Sequence, residues 1–276
     1  MNADLSVIQK IEDLSLNAWP SYRLQFYDGW VLRYSAFYTH RTNCVEQIAA
    51  PSLPYIDKIE YCEDIYRKWH TPCIFKQSPL TDPLLTQMLS ERGYITEHST
   101  EVMTMSLDSF SKEDLPPGTM PEGEIPGGVS VLPLPAFPGY TIRIAPRTDT
   151  LWLDSFFDLK GNISAKHIRI VPQMYAAVPK DEIAILLLKD GKVCGTGLGI
   201  LDRDAIGVYA VHIAPGERRK GLAGLIVRTI LTFGKDEGAS FAYLQAVSEN
   251  MAARLLYEKI GFENTYSSSF LVKRDL

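Results

Sequence analysis

The feature that most constrains this chain is the stretch 207–223, which reads GVYAVHIAPGERRKGLA. Its first seven residues are β-branched, aromatic or small, which is typical of a buried strand. A Pro-Gly pair then ends the strand, and Arg218, Gly221 and Ala223 follow at the spacing R-x-x-G-x-A. Apolar residues recur on one face over residues 221–233, which indicates a helix. The stretch therefore predicts a strand, a tight turn and a helix start that is held against a core.

The start of this helix is a predicted anion site. Free backbone N–H groups and the positive end of the helix dipole favour an anion by about 0.3–1 kcal/mol. Gly221 and Ala223 are small enough for a phosphate to approach the backbone, and Arg218, Arg219 and Lys220 add positive charge. These residues predict a pyrophosphate-binding loop. A basic, solvated helix start is the alternative that has the same spacing.

A second pattern lies downstream of this loop. Residues 241–247 (FAYLQAV) indicate a strand, and residues 248–262 indicate a helix that Ser248 caps and Gly261 ends. The first pattern consists of Val211, Pro215, Arg218, Gly221 and Ala223, and the second of Asn250, Ala253, Tyr257, Gly261 and Phe262. In this order and about thirty residues apart, the two patterns closely resemble the signature motifs of the GNAT family of N-acetyltransferases. The resemblance extends from about residue 151 to the last residue.

The resemblance implies a mostly antiparallel central sheet with helices on both faces and acetyl-CoA as the cosubstrate. The cysteines show no metal-ligand spacing, so no metal is expected. It also implies that the backbones of Val211 and Ile213 pair with the pantetheine arm as an added strand does. Asn250 either contacts this arm or caps a turn. The full set of expected cofactor contacts is Val211, His212, Ile213, Arg218, Arg219, Lys220, Gly221, Leu222, Ala223, Gly224 and Asn250.

Tyr257 is the candidate catalytic residue. Direct attack of an amine on acetyl-CoA requires a proton for the departing thiolate, and a phenol with a pKa near 10 stays protonated at neutral pH. A core aromatic on an amphipathic helix fits the same position. The general base stays open, because Gly207 stands where some relatives carry a glutamate, and His212, Glu249, Asp202 or water are the alternatives.

Residues 1–111 indicate a second, smaller α/β unit. Helices are predicted at 5–19, 56–69 and 82–92, and strands at 30–34, 43–48, 73–77 and 102–107. If Gly93-Tyr94 is aligned with Gly261-Phe262, three further pairs follow, namely Asp82 with Asn250, Leu85 with Ala253 and Leu89 with Tyr257. This half lacks an R-x-x-G-x-G/A stretch. It therefore resembles the degenerate half of a tandem GNAT protein, and an unrelated α/β domain is the alternative.

Seven prolines and five glycines fall within residues 112–139, which suits a stiff linker more than a packed element, with a strand possible at 129–134. The carboxyl-terminal unit then spans residues 140–276. Its strands are predicted at 140–145, 183–189 and 193–201 and its helices at 151–159 and 167–175. The glycines of 193–201 predict a flexible, open-faced strand. The fold class is therefore α/β (α+β), with two GNAT-like halves.

Composition narrows the expected partners. A net charge of −5 disfavours nucleic-acid and membrane binding. The four cysteines are scattered, which suits buried thiols in a reducing compartment, and no basic leader or long apolar run is present. The expectation is a cytoplasmic N-acetyltransferase that uses acetyl-CoA and a small amine or peptide amine, in an oligomeric state that the sequence does not predict. A non-catalytic acetyl-CoA sensor or interaction module is the competing function.

Overall fold

The protein is described by a computed structural model that covers residues 4–121, 128–161 and 163–276. These residues form twelve strands of a single sheet and seven α-helices. The helices are α1 (Leu5–Ala18), α2 (Tyr55–Lys68), α3 (Pro83–Glu91), α4 (Thr150–Lys160), α5 (Ala165–Ala176), α6 (Leu222–Asp236) and α7 (Met251–Ile260). None of these described helices is both long and apolar enough to cross a membrane.

The strands are β1 (Arg23–Tyr27), β2 (Trp30–Tyr34), β3 (Val45–Gln47), β4 (Cys73–Gln77), β5 (Ile95–Ser106), β6 (Ser130–Pro133), β7 (Tyr140–Ala145), β8 (Asp181–Lys189), β9 (Lys192–Asp202), β10 (Ala205–Ile213), β11 (Phe241–Val247) and β12 (Glu263–Lys273). Their order across the sheet is β1-β2-β3-β4-β12-β5-β11-β10-β9-β8-β7-β6. The β3–β4 and β10–β11 pairs are parallel and the other described pairs are antiparallel. The predicted α/β class with a mostly antiparallel sheet is confirmed.

The two halves repeat one succession of elements. Three strands in a meander (β1–β2–β3 and β8–β9–β10) lead through a helix (α2 and α6) to a parallel strand (β4 and β11), and a second helix and a last strand follow. The aligned residues share their local roles. Asp82 caps α3 and Asn250 caps α7, while Gly93 and Gly261 follow these helices at φ +83° and +118°.

One cap was predicted wrongly. Ser248 does not cap α7, because its hydroxyl donates to a carboxylate oxygen of Glu101 at 3.0 Å. The side-chain oxygen of Asn250 accepts the helix amide of Ala253 instead, at 3.2 Å. The serine that the local sequence predicts as a helix cap therefore forms a hydrogen bond with a distant residue of β5 instead.

The halves exchange their last strands at the centre of the sheet. β5 of the amino-terminal half pairs with β11, and β12 of the carboxyl-terminal half pairs with β4. β5 and β12 also pair with each other. Neither half therefore completes its own sheet. The proposed boundaries at 1–111, 112–139 and 140–276 remain a prediction about sequence units.

The glycines of β9 have a packing role that differs from the predicted flexibility. A Cβ on Gly197 would lie 2.2 Å from Ile226 Cγ2, and a Cβ on Gly199 would lie 2.6 Å from Ile230 Cγ2. α6 thus rests directly on the backbone of β9. This contact fixes the position of the α6 amino terminus relative to β10.

Three other expectations need correction. The described part of 112–139 packs more than its composition indicates, because β6 pairs with β7 and Leu134 is buried. The edge strand β1 was missed, because its apolar residues Leu24 and Phe26 face solvent with exposed fractions of 52% and 70%. β5 begins at Ile95 and not at residue 102, since its polar first part pairs with β12.

Strand exchange predicts that the halves fold only together. A chain cut into fragments 1–121 and 122–276 leaves β11 without β5 and β12 without either neighbour, so edge groups lose their partners. We expect the co-expressed fragments to form a 1:1 complex and each separate fragment to lack a cooperative unfolding transition by circular dichroism, with the uncut chain as the control. A monomeric 122–276 fragment that melts cooperatively would contradict this account.

Candidate functional site

The central sheet opens between β10 and β11. Ala205–Val208 pair with residues 241–244, and β10 then continues through Ile213 without a partner on that side among the described residues. The register between Tyr209 and His212 shifts by a β-bulge. Ala210 within the bulge has φ +51°. The bulge and the opening together leave backbone groups of β10 free for a ligand.

The loop after β10 leads these free groups to a helix amino terminus. Gly221 is the N-cap of α6 at φ +82°, a left-handed conformation that glycine adopts at little cost. A Cβ at this position would meet only Phe137 Cε1, at 4.0 Å, so the space in front of it is open. The first four helix amides have no helical acceptor. They form the predicted anion site.

The predicted cations of this loop differ in whether another group of the protein already binds their side chains. Lys220 Nζ pairs with a Glu217 carboxylate oxygen at 2.8 Å, and Arg218 Nε donates to the Ile213 carbonyl oxygen at 3.2 Å. Arg219 is exposed and has no partner within residues that the structure describes. Arg219 is thus the unengaged cation beside the open amides.

The remaining predicted cofactor contacts lie at the start of α6 and at the cap of α7. Leu222 is buried, so only its backbone faces outward. Ala223 is half-buried. A Cβ on Gly224 would lie 3.6 Å from Leu256 Cδ1, which places α6 against α7. Asn250 caps α7 as described above. Its capping role is settled, and a contact with cofactor remains a prediction.

Tyr257 lies on α7 and packs against the large core cluster that β10, β11 and α6 share. Its ring contacts Phe262 edge-on, with centroids 6.1 Å apart. Burial raises the pKa of Tyr257 to about 12, so the phenol is protonated at neutral pH. No described residue hydrogen-bonds its hydroxyl. The hydroxyl is therefore available to a ligand.

The absence of a glutamate at Gly207 has a steric reason. A Cβ there would lie 2.6 Å from Tyr209 Cε2 and 2.8 Å from the Tyr243 hydroxyl. The hydroxyls of Tyr209 and Tyr243 lie 2.6 Å apart. This tyrosine pair fills the space that a carboxylate would need.

The two other carboxylates considered as a base lie elsewhere. Asp202 is buried at the far end of β9, where it pairs with Lys180 at 2.9 Å and accepts from Asn17 at 3.0 Å. Glu249 is exposed before α7. Neither lines the cavity described next.

On the bulged stretch of β10 lies a cavity of about 160 Å³ between the halves. Residues of both halves line it, namely Ser15, Leu16, Trp19, Arg33, Thr39, Arg41, Glu46, Lys76, Phe156, Lys160, Tyr175, Tyr209, Ala210, His212 and Gln245. Sequence reasoning identified His212 but missed the four cations and Glu46. No motif marks these residues, because the exchange of strands brings them together.

Buried ion pairs stiffen one wall of this cavity. Glu46 accepts from Arg33 at 2.7 Å and from Lys76 at 3.3 Å, and Lys76 also pairs with Glu12. Burial raises the pKa of Glu46, but Lys76 and Arg33 outweigh this effect and hold the pKa below its ordinary value. Glu46 is therefore a poor proton acceptor.

His212, unlike Glu46, is suited to accept a proton. Burial lowers the pKa of His212 below its ordinary value of 6.5. A backbone hydrogen bond with Ala210 opposes this shift in part, and the positive charge of Lys160 adds to it. Its Nδ1 is buried and has no hydrogen-bond partner within the described part of the chain. The imidazole is thus neutral at neutral pH and has a free nitrogen.

A separate cluster contains His40, Glu97 and His98, with ligand atoms within 4.8 Å of one another. Two nitrogen–oxygen distances of 2.8 and 2.7 Å join the Arg274 guanidinium to the Glu97 carboxylate. That carboxylate is already neutralised by an arginine, which opposes metal binding. We assign no metal to the cluster.

Comparison with known proteins agrees with this geometry. The family model described as acetyltransferase (GNAT) family matches residues 148–262, which include the open strand, the loop and Tyr257. Residues 148–262 form a GNAT domain. An uncharacterized N-acetyltransferase of Bacillus subtilis, YobR, is 24% identical over 268 residues, which are 97% of this chain and 99% of the relative. Human N-acetyltransferase 8 is 40% identical over 65 residues, 24% of this chain and 29% of the relative.

Solved structures share the fold over both halves. A GCN5-related N-acetyltransferase from Kribbella flavida has a TM-score of 0.63 at 16% identity and covers 96% of this chain and 95% of its own. A tandem GNAT protein from the clavulanic acid biosynthesis pathway has a TM-score of 0.61 at 13% identity. This match covers 83% of this chain and 74% of that protein. The tandem organisation expected from the internal repeat is confirmed, and the chain is an acyl-CoA-dependent acyltransferase that contains a GNAT domain.

Proposed function

We propose that this GNAT protein moves an acetyl group from acetyl-CoA to a primary amine by direct attack. The observation that carries the proposal is the opening between β10 and β11, which leads to the uncapped amino terminus of α6. An elongated cofactor with a pyrophosphate at its middle fits this succession of free strand and free helix amides.

In the proposed complex the pyrophosphate binds the amides of residues 221–224, with Arg219 beside it. The pantetheine arm pairs with the unpartnered edge of β10 at Val211 and Ile213. The thioester then lies at the bulge. There the Val211 N–H donates to the thioester oxygen as negative charge develops, a contribution of about 3 kcal/mol when a donor is well placed.

The acceptor amine enters from the cavity on the other side of the bulge. His212 is the cavity group suited to take the ammonium proton, because its imidazole lines the cavity and is neutral. The amine nitrogen then attacks the thioester carbon. As the carbon–sulfur bond breaks, Tyr257 donates its phenolic proton to the thiolate. The attacking nitrogen, which carries one proton too many after the attack, gives that proton through solvent to the Tyr257 phenolate as the amide forms.

The role of His212 predicts a pH dependence. The unprotonated imidazole is the active form, so kcat falls as pH drops through the His212 pKa, which lies below 6.5. At saturating amine we expect an acidic limb with its midpoint below pH 6.5. In His212→Gln the limb disappears and a low, pH-independent rate remains. An unchanged acidic limb in this variant would remove His212 from the proton path.

Tyr257→Phe tests the acid. The variant keeps the ring and loses a hydroxyl that no described residue engages, so melting temperature and acetyl-CoA affinity should not change. CoA-thiol release should fall about 10²- to 10⁴-fold in kcat, because the lost interaction acts in the transition state.

Tyr266→Phe is the matched control, since Tyr266 donates to buried Glu12 at 2.6 Å. It should lose about 1.5–3 kcal/mol of stability and keep kcat. A fully active Tyr257→Phe would exclude Tyr257 as the acid. Tight acetyl-CoA binding by the unmodified chain without turnover of any amine would favour the sensor instead.

We further propose that the amino-terminal half binds no cofactor. Its loop between β3 and α2 stands where the loop between β10 and α6 stands in the other half. The carboxylate of Asp28 accepts the amides of Ser52 at 3.0 Å and Leu53 at 2.9 Å and pairs with Lys58 at 3.0 Å. A built-in anion thus holds the two amides before the α2 N-cap, and that N-cap, Pro54, has no N–H to offer a phosphate.

A further inference from the structure

The cavity beside the β10 bulge holds an excess of positive charge. Four cations line it and Glu46 is the carboxylate among its lining residues. Arg33 and Lys76 are neutralised by Glu46 and Glu12. The two remaining cations, Arg41 and Lys160, form no ion pair or hydrogen bond through their side chains with any residue the structure describes.

The two cations are held in place although they repel. Arg41 stands in a short 3-10 turn, His40–Thr42, and burial lowers the pKa of its guanidinium. Lys160 Nζ lies 3.7 Å from the centroid of the Tyr38 ring. Burial and the charge of Arg41 lower the pKa of Lys160 to about 8. Uncompensated charges in a desolvated cavity are costly, which indicates that a ligand supplies the missing negative charge.

We propose that Arg41 and Lys160 bind a carboxylate of the acceptor, so that the substrate is a small amine of the amino-acid class. This inference rests on the proposed function and names its substrate class. The planar guanidinium of Arg41 suits a carboxylate in two parallel hydrogen bonds. A cavity of about 160 Å³ fits a small molecule.

The position of Lys160 sets the orientation of this substrate. Lys160 interacts electrostatically with Arg41 and with His212, and all three residues line the cavity. A carboxylate held between Arg41 and Lys160 therefore leaves the amine near His212 and the bulge. Because Arg41 belongs to the amino-terminal half and Lys160 to α4 of the other, the acceptor site is complete only when both halves are present.

Matched pairs of amines test the inference on the full chain. CoA-thiol release is measured with phenylalanine against phenethylamine, lysine against cadaverine, and O-phosphoethanolamine against ethanolamine. We expect kcat/KM to favour the carboxylated member of the best pair by about 10- to 100-fold, mainly through KM. In Arg41→Met and in Lys160→Met this preference should fall to a few-fold.

Two further variants separate recognition from structure. Arg41→Lys keeps a charge but loses the planar fork, so it should retain part of the preference. Lys166→Met removes an exposed lysine of α5 and should retain all of it. The melting temperature of Arg41→Met should be unchanged or higher, because an unpaired charge is removed. A lower melting temperature with an unchanged preference would assign Arg41 to folding and overturn the inference.

The outcomes distinguish the two proposals. If the amines are acetylated but the carboxylate brings no preference, the inference fails and the proposed function stands. If the phosphate-bearing amine is preferred over every amino acid, the carboxylate assignment fails. If no amine is acetylated, the proposed function fails. Isothermal titration calorimetry with phenylalanine and with phenethylamine then tests whether the cavity binds a carboxylate. Preferential phenylalanine binding that Arg41→Met abolishes would support it, and equal or absent binding would overturn it.

Discussion

The exchange of β5 and β12 is the constraint on which the rest of the structure depends. It joins two half-sheets into one and places the amino-terminal half next to β10. The cavity at the bulge exists because of this arrangement, since Arg41 and Glu46 come from one half and Lys160 and His212 from the other. In the proposed complex, a half that binds no cofactor thereby contributes one wall of the acceptor site.

The loops before α2 and α6 occupy equivalent positions in the two halves, but their backbone amides differ in whether a carboxylate of the protein already binds them. In the carboxyl-terminal half, Gly221 leaves the amides before α6 open. In the amino-terminal half, Asp28 supplies a carboxylate to the equivalent loop. This internal anion lies directly before the α2 N-cap, Pro54, which has no N–H of its own. The two loops thus differ in the backbone donors that they present, and this difference underlies the proposal that one half alone binds the cofactor.

Local patterns in the sequence predicted much of the fold and the cofactor side of the site. The R-x-x-G-x-A spacing, the Gly261 stop and the internal repeat all depend on residues close in sequence, and each corresponds to an element of the structure. The exchange of strands, the contact of Ser248 with Glu101, and the placement of Arg41 and Lys160 in one cavity depend on contacts across more than a hundred residues. Nothing local distinguishes Arg41 or Lys160 from any surface cation.

The central claim is that the chain holds one acetyl-CoA, at the loop before α6. Isothermal titration calorimetry of the full chain measures this directly. We predict one site per chain, none in Gly221→Glu, and one weakened site in Gly221→Ala, which adds only the strain of a left-handed alanine. Two comparable sites per chain, or unchanged binding in Gly221→Glu, would contradict the account.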